Sequence, residues 1–545
     1  MKSFFLRLTA AALCLALLSG CSLLLTPSAA GGSSSSAGGS EPVFSSSGPT
    51  AYADMAYRRC SAEKGEALLS KIQTYAKEGG SQEDFNRDDT ALVDYLYTVA
   101  TMRELIDLQC ASDPTDEQAA EESLYTSQLY RELNEGYWDA MHALSVTGHG
   151  KLLKEHYDAQ QIQWFISYDA QSAEEALYAR EDALCQRYRS LMAEENVDEE
   201  AVAEVFLELV ELRREIAAQA GCDSYADYAY ASLYIRNYTP EDSQVLWRSA
   251  QEYFAPAADS HAQEIYEQTE SLFSTDRIDC SPEAILEGME RCLSGLSGEL
   301  CESLSFLRSN GLYDIAPSAT KADTGYTTYL FSYDEPFLFN APSGTYYDYT
   351  QFIHEFGHFT NYYLTGCDLL FGMDDNDLGE LQSQGMEAML LPRYEELFGG
   401  VEGEAIRREV LLNLFYSVVD GALFDEFLQR VYAEEELSPE RVSALYAQVC
   451  ESYGYASAPG GWMYLEHNFL YPFYYISYAV SAISALELYT MLLSDPDEAL
   501  NAYLTVEAMD CSEWYFTDAL KEAGLSDVFD PENCRRIAAG VDLSA

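Results

Sequence analysis

The reading of this chain turns on one segment, Gly344-Thr345-Tyr346-Tyr347-Asp348-Tyr349-Thr350-Gln351-Phe352-Ile353-His354-Glu355-Phe356-Gly357-His358. Its pattern predicts a helix capped by Asp348 and closed by Gly366. His354 and His358 lie four apart, so their imidazoles share one helical face and can reach a single metal ion. Glu355 stands beside the first histidine, on the flank where an activated water would lie. A zinc ion with three protein ligands keeps a fourth position open and lowers the pKa of a water there toward about 7. A neighbouring carboxylate that is not itself a ligand can then take the proton. With 7 histidines in 545 residues, chance supplies roughly 0.01 His-Glu-x-x-His matches per chain. Two packed histidines beside a solvated glutamate is therefore the weaker reading.

A third ligand must come from another segment. Asp377-Leu378-Gly379-Glu380-Leu381-Gln382-Ser383-Gln384-Gly385-Met386-Glu387-Ala388-Met389 predicts a second helix that stops before Pro392. It is far enough downstream to return past the first. By spacing alone Asp377, Glu380 and Glu387 all compete, and each could equally be a solvated helix charge. Glu387 shares a face with Glu380 and could orient a histidine from behind. Upstream, Gly325 to Asn340 is rich in aromatic and β-branched residues and predicts a short hairpin around Asp334-Glu335.

These residues carry a resemblance. His354-Glu355-Phe356-Gly357-His358 followed by Glu380-Leu381-Gln382-Ser383-Gln384-Gly385-Met386-Glu387 resembles the thimet oligopeptidase and oligoendopeptidase F family of zinc metallopeptidases. That family's motifs are His-Glu-x-Gly-His and then Glu-x-x-Ser-x-x-x-Glu. Its C-terminal signature, a histidine followed by closely spaced tyrosines, is matched loosely by His467, Tyr471, Tyr474, Tyr475 and Tyr478. The similarity covers residues 325 to 390 and 460 to 490. It implies one Zn2+ on His354, His358 and Glu380, with Glu355 as the base. Tyr478 and Tyr471 become candidates to stabilise an oxyanion, spaced seven apart on one face if their run is helical, and His467 becomes a substrate contact. The expected fold is mainly α, a two-lobed helical body with a deep channel that admits short peptides, and a small sheet beside the zinc helix. Strand residues Phe337 to Asn340 are expected to pair with a substrate backbone. One departure is Asn361, where family members commonly carry a further histidine.

Outside these motifs, helix signals dominate. Thr239-Pro240, Ser281-Pro282, Ser438-Pro439, Asp495-Pro496 and Asp530-Pro531 each pair a capping residue with proline at the first helical position. Ser172 with Glu175 forms a capping box. The apolar run 469 to 486 contains Pro472 and several tyrosines and serines, which predicts a buried helix rather than a membrane span. A soft boundary near Asn237-Tyr238-Thr239-Pro240 divides an N-terminal helical lobe, 51–240, from a catalytic lobe, 241–545.

The N-terminus carries an address. Lys2 and Arg7 precede an apolar stretch too short to span a bilayer, and Leu18-Ser19-Gly20-Cys21 resembles a bacterial lipobox. The resemblance implies a signal peptide over 1–20, lipid on Cys21 and an extracytoplasmic location at the bacterial cell membrane. Residues 21–50 then form a Ser/Gly-rich tether. Eleven cysteines remain in the body, an odd number; candidate pairs are Cys280 with Cys292 or Cys301, and Cys511 with Cys534, and scattered small core residues are at least as good a reading.

The chain carries 31 Lys+Arg against 91 Asp+Glu, a net charge of −60, with 48% hydrophobic residues. Such a surface is a poor partner for nucleic acid, whose binding depends on basic side chains neutralising phosphate. Expected partners are short peptides, with the membrane reached only through the lipid and the protein a monomer. Two rival readings remain. One is an exo-acting peptidase that releases dipeptides. The other is a lipoprotein that captures peptides without cleaving them, which leaves the His/Glu pattern unexplained.

Overall fold

The computed structural model describes residues 48–544, apart from 169–171, 195, 273–277, 373–374 and 459. The signal segment, Cys21, nearly all of the tether and the side chains of the Ser172–Glu175 box lie outside that set. All five proline-marked starts open helices, namely Pro240–Ser249, Pro282–Leu293, Pro439–Ser452, Pro496–Glu507 and Pro531–Gly540. In each, the preceding Thr, Ser or Asp side chain accepts a backbone N–H of the first turn. A donor left open by the helix start is satisfied in this way, and proline gives up no helical bond there.

The body is mainly helical. In the N-terminal part α1 (Ala62–Glu78), α2 (Gln82–Ser112) and α3 (Glu117–Ser145) pack on one another. The elements that build the site follow: α4 (Tyr347–Thr365), α5 (Asn376–Leu390), α6 (Gly400–Ala433), α7 (Ile476–Ser494) and α8 (Pro496–Glu507). Helix α7 packs against α5, α6 and α8 and is buried along most of its length. Among the described residues it alone is long and apolar enough to cross a membrane, but 83% of its most apolar stretch lies inside the protein. One large apolar core runs through both predicted lobes, from Met55 to Leu543, beside a small second cluster of Leu177, Leu212 and Ile216.

One small sheet flanks α4. Strands β2 (Gly325–Leu330) and β3 (Glu335–Asn340) form the expected hairpin, antiparallel with Thr327 opposite Leu338. Asp334 makes the turn with φ 58°. A two-residue strand, β1 (Tyr313–Asp314), pairs parallel with β3, so the order is β1-β3-β2. This corrects the expectation for Phe337 to Asn340. Those residues are central and buried, and the edge beside α4 belongs to β2.

The cysteines follow the core-residue reading and not the candidate pairs. None of the eleven body cysteines, all among the described residues, is in a disulfide. Cys511 Sγ faces Gln382 Oε1 at 3.3 Å, while Cys534 Sγ faces the Val528 carbonyl at 3.0 Å. Cys292 approaches the Arg393 carbonyl and Cys280 that of Ile278. They act as small core residues with weak donors.

Candidate active site

Helices α4 and α5 meet closely enough that their backbones nearly touch. A Cβ on Gly357 would stand 2.6 Å from Ser383 Cα and 2.8 Å from the Gln382 carbonyl oxygen. The glycine inside the His-Glu-Phe-Gly-His motif therefore sets the approach that brings Glu380 to the histidines. Asp348 does not cap α4 as expected. Its carboxylate accepts the backbone N–H groups of Ser343 and Gly344 and so fixes the incoming loop. The helix starts from Tyr346 with no side-chain cap and closes at Gly366, φ 77°.

One ligand atom from each of His354, His358 and Glu380 falls within 4.8 Å of the other two. His354 Nε2 lies 3.6 Å from Glu380 Oε2, too long for a hydrogen bond. Two ligands about 2.0–2.1 Å from one tetrahedral ion are roughly 3.4 Å apart, so this spacing and the two-imidazole, one-carboxylate donor set fit zinc. The other nitrogen of His354, Nδ1, is 2.7 Å from Glu387 Oε1. That contact leaves Nε2 facing the cluster, as a histidine oriented from behind requires.

The field here is negative. Burial works against a charged ring on His354, but the Glu387 hydrogen bond and the charges of Glu387, Glu380 and Glu355 outweigh it and raise the imidazole to about 9. A metal cation relieves that field as a proton does. Burial and the neighbouring His354 hold His358 well below the usual histidine range. Burial also raises the Glu355 carboxyl to about 8, against the lowering effects of His354 and Thr327. Thr327 Oγ1, on β2, is 3.0 Å from Glu355 Oε2 and 2.9 Å from the Glu355 carbonyl, so the sheet orients this carboxylate.

The tyrosine segment differs from its expected form. His467 opens a single helical turn, His467–Leu470, and α7 begins only at Ile476. Tyr471, with φ −137° and ψ 57°, lies between them, so it shares no helical face with Tyr478. Pro472 and Phe473, the latter with φ 69°, break the run. Four tyrosine rings still surround the His467 imidazole, with centroids 6.0 Å (Tyr471), 5.8 Å (Tyr474), 5.0 Å (Tyr475) and 6.0 Å (Tyr478) away. Tyr478 is buried on α7, whereas Tyr471 is half-buried with Glu466 and Arg189 as charged neighbours. Burial lowers His467 to about 4, and its Nδ1 has no hydrogen-bond partner among the described residues.

Three residues matter here in roles that the sequence reading did not assign. Tyr474 donates its hydroxyl to Glu380 Oε1 at 2.8 Å, tying the tyrosine segment to the metal cluster. It is one of several closely spaced tyrosines, and nothing in spacing singles it out. Thr327 carried no signal beyond strand composition. Arg236, from the predicted lobe boundary, pairs with Asp377 at 3.2 Å in full burial. Tyr238 and Ser477 also donate to Asp377. This removes Asp377 from the contest for third ligand and leaves Glu380, one turn on, to face the histidines. Asn361 turns away from the cluster and donates to the carbonyls of Glu507 and Met509 at the end of α8.

No protein-family model matches this chain, and no curated protein matches it in sequence. Shape is more informative. The chain superposes on PZ peptidase A, solved with an inhibitor, with a TM-score of 0.73 at 20% identity, over 90% of this chain and 98% of that one. The two chains share one fold. A putative oligoendopeptidase F from Bacillus anthracis str. Ames gives 0.70 at 19% identity, over 90% and 97%. Metallocarboxypeptidase 1 of Trypanosoma cruzi gives 0.51 at 14%, over 84% and 98%. The shared fold thus extends over nearly the whole chain, well beyond the two segments that carry the sequence resemblance.

Proposed function

We propose that this chain is a zinc-dependent endopeptidase of short oligopeptides, held at the outer face of the bacterial cell membrane by lipid on Cys21 and acting as a monomer. The observation that carries the reading is the convergence of His354, His358 and Glu380 within 4.8 Å, with Glu355 on the same helix and Glu387 behind His354. A zinc ion on those three residues supplies positive charge that polarises a peptide carbonyl and acidifies water.

The protein's own groups do the rest. Glu355, aligned by Thr327, takes a proton from water as a carboxylate and delivers it to the leaving nitrogen. Tyr478 and Tyr471 are the candidate oxyanion donors, and the structure favours Tyr478, which is buried beside Tyr474 and Tyr475. His467, neutral and with no partner at Nδ1 among the described residues, offers that nitrogen to a substrate amide. Strand β2, an edge strand of the sheet formed by the described residues and with Thr327 against Glu355, offers that edge for the substrate backbone.

The test is a mixture of peptides of graded length, digested with and without a zinc chelator and read by mass spectrometry. Internal cleavage of short peptides that stops on chelation and resumes with zinc is expected. Cleavage of intact casein as readily as of a short peptide would contradict the size limit. A second reading, removal of residues from the C-terminus, is prompted by the fold shared with metallocarboxypeptidase 1. Amidating the peptide's C-terminus separates the two, since an endopeptidase tolerates it.

A further inference from the structure

We infer that Arg236 is a positioning residue for the proposed metal site, holding Phe473 in a left-handed turn and thereby seating the Tyr474 hydroxyl on one oxygen of Glu380. The inference rests on the reading of Glu380 as a metal ligand. Phe473 adopts φ 69°, a conformation that a bulky side chain takes only when its surroundings impose it. The carbonyls on either side of that strain are both held from one segment. Tyr234 Oη donates to the Pro472 carbonyl at 3.1 Å, and Arg236 Nη1 donates to the Phe473 carbonyl at 2.9 Å. The Phe473 ring is boxed by Tyr225, Tyr230 and Tyr432.

The guanidinium reaches further. Its Nη2 donates to Ser477 Oγ at 2.9 Å in the first turn of α7, and Asp377 on α5 receives its Nε at 3.2 Å. The faces of Tyr230 and Tyr234 lie 4.7 Å from it. A planar fork of fixed donors can serve a carboxylate, a carbonyl and a hydroxyl at once, which a lysine cannot. Asp377 sits one turn before Glu380, and Phe473 immediately precedes Tyr474. Arg236 therefore ties the helix that carries Glu380 to the turn that carries its hydroxyl partner. With Oε1 occupied by Tyr474 at 2.8 Å, the carboxylate presents Oε2 toward His354.

The experiment measures zinc affinity of the full-length, detergent-solubilised protein by competition with a chromophoric chelator. Wild type, Tyr474→Phe, Arg236→Gln, Arg236→Lys and the Tyr474→Phe/Arg236→Gln double variant are compared. Each of the first two single variants should lose about 10- to 100-fold in affinity. The double variant should lose no more than the worse single, because both act through the same contact. Arg236→Lys should recover part of the loss. A merely structural Arg236 would lower the melting temperature while leaving zinc affinity unchanged, or its loss would multiply with that of Tyr474→Phe; either result overturns the inference. If Arg236→Gln does not fold, Ser477→Ala removes one contact of the guanidinium and is read by the same cycle with a smaller expected loss. Wild type that binds no zinc would instead defeat the proposed function itself.

Discussion

Two histidines in one site live in opposite surroundings. His354 is ringed by carboxylates, which raise it to about 9 in spite of burial. His467 is ringed by tyrosines, and burial with no compensating charge lowers it to about 4. One half of the site therefore favours a cation and the other stays neutral while offering hydroxyl groups. The difference shows that burial alone does not set a histidine's role. The charges packed around it decide whether it gathers positive charge or stays neutral. The Tyr474 hydroxyl joins the halves through its hydrogen bond to Glu380.

That contrast can be broken by asking which variants lose metal and which lose only rate. The largest effect is expected from His358→Ala, which should abolish both bound zinc and hydrolysis, measured by metal analysis and peptide assay. A variant that still hydrolyses peptides would remove the carboxylate-rich half from the chemistry. Gly357→Ala should also weaken zinc binding, because the new Cβ meets the α5 backbone and must push the helices apart. Unchanged zinc affinity would show that Glu380 does not depend on that approach. On the tyrosine side, Tyr478→Phe should keep zinc and lose about 10²–10³ in kcat. Turnover within a few-fold of wild type would exclude Tyr478 as the oxyanion donor.

The smallest effect sharpens the contrast through pH. The folded pKa of His467 lies below its unfolded value, so the unfolded chain binds a proton first as pH falls from about 6.5 toward 4. Stability is lost across that window, by up to about 3 kcal/mol at its acid end. His467→Gln should flatten the fall in denaturant midpoint between pH 6.5 and 4. An unchanged slope would mean that His467 is not held neutral.

Legibility in the sequence followed the same divide. The carboxylate-rich half could be read because its signals are local: His354 and His358 one turn apart, Glu380 and Glu387 two turns apart, and Gly357 between the histidines. The five proline-capped helices were legible for the same reason. The tyrosine half was not, because Phe473 takes its left-handed conformation from Arg236 and Tyr234, more than two hundred residues away. Pro472 marked a break that the spacing of Tyr471 and Tyr478 obscured. The choice between Asp377 and Glu380 was closed to spacing as well, since the partner that occupies Asp377 lies 141 residues upstream. Strand β1, two residues long, left too little pattern to reveal that β3 is central.

The central claim is that Glu355 acts as the proton carrier of a zinc peptidase. Its most direct test is Glu355→Gln, assayed for bound zinc and for hydrolysis of a short peptide. The account predicts one zinc per chain, as in wild type, with hydrolysis lost; a zinc-loaded variant that cleaves the peptide at a rate near wild type would contradict it.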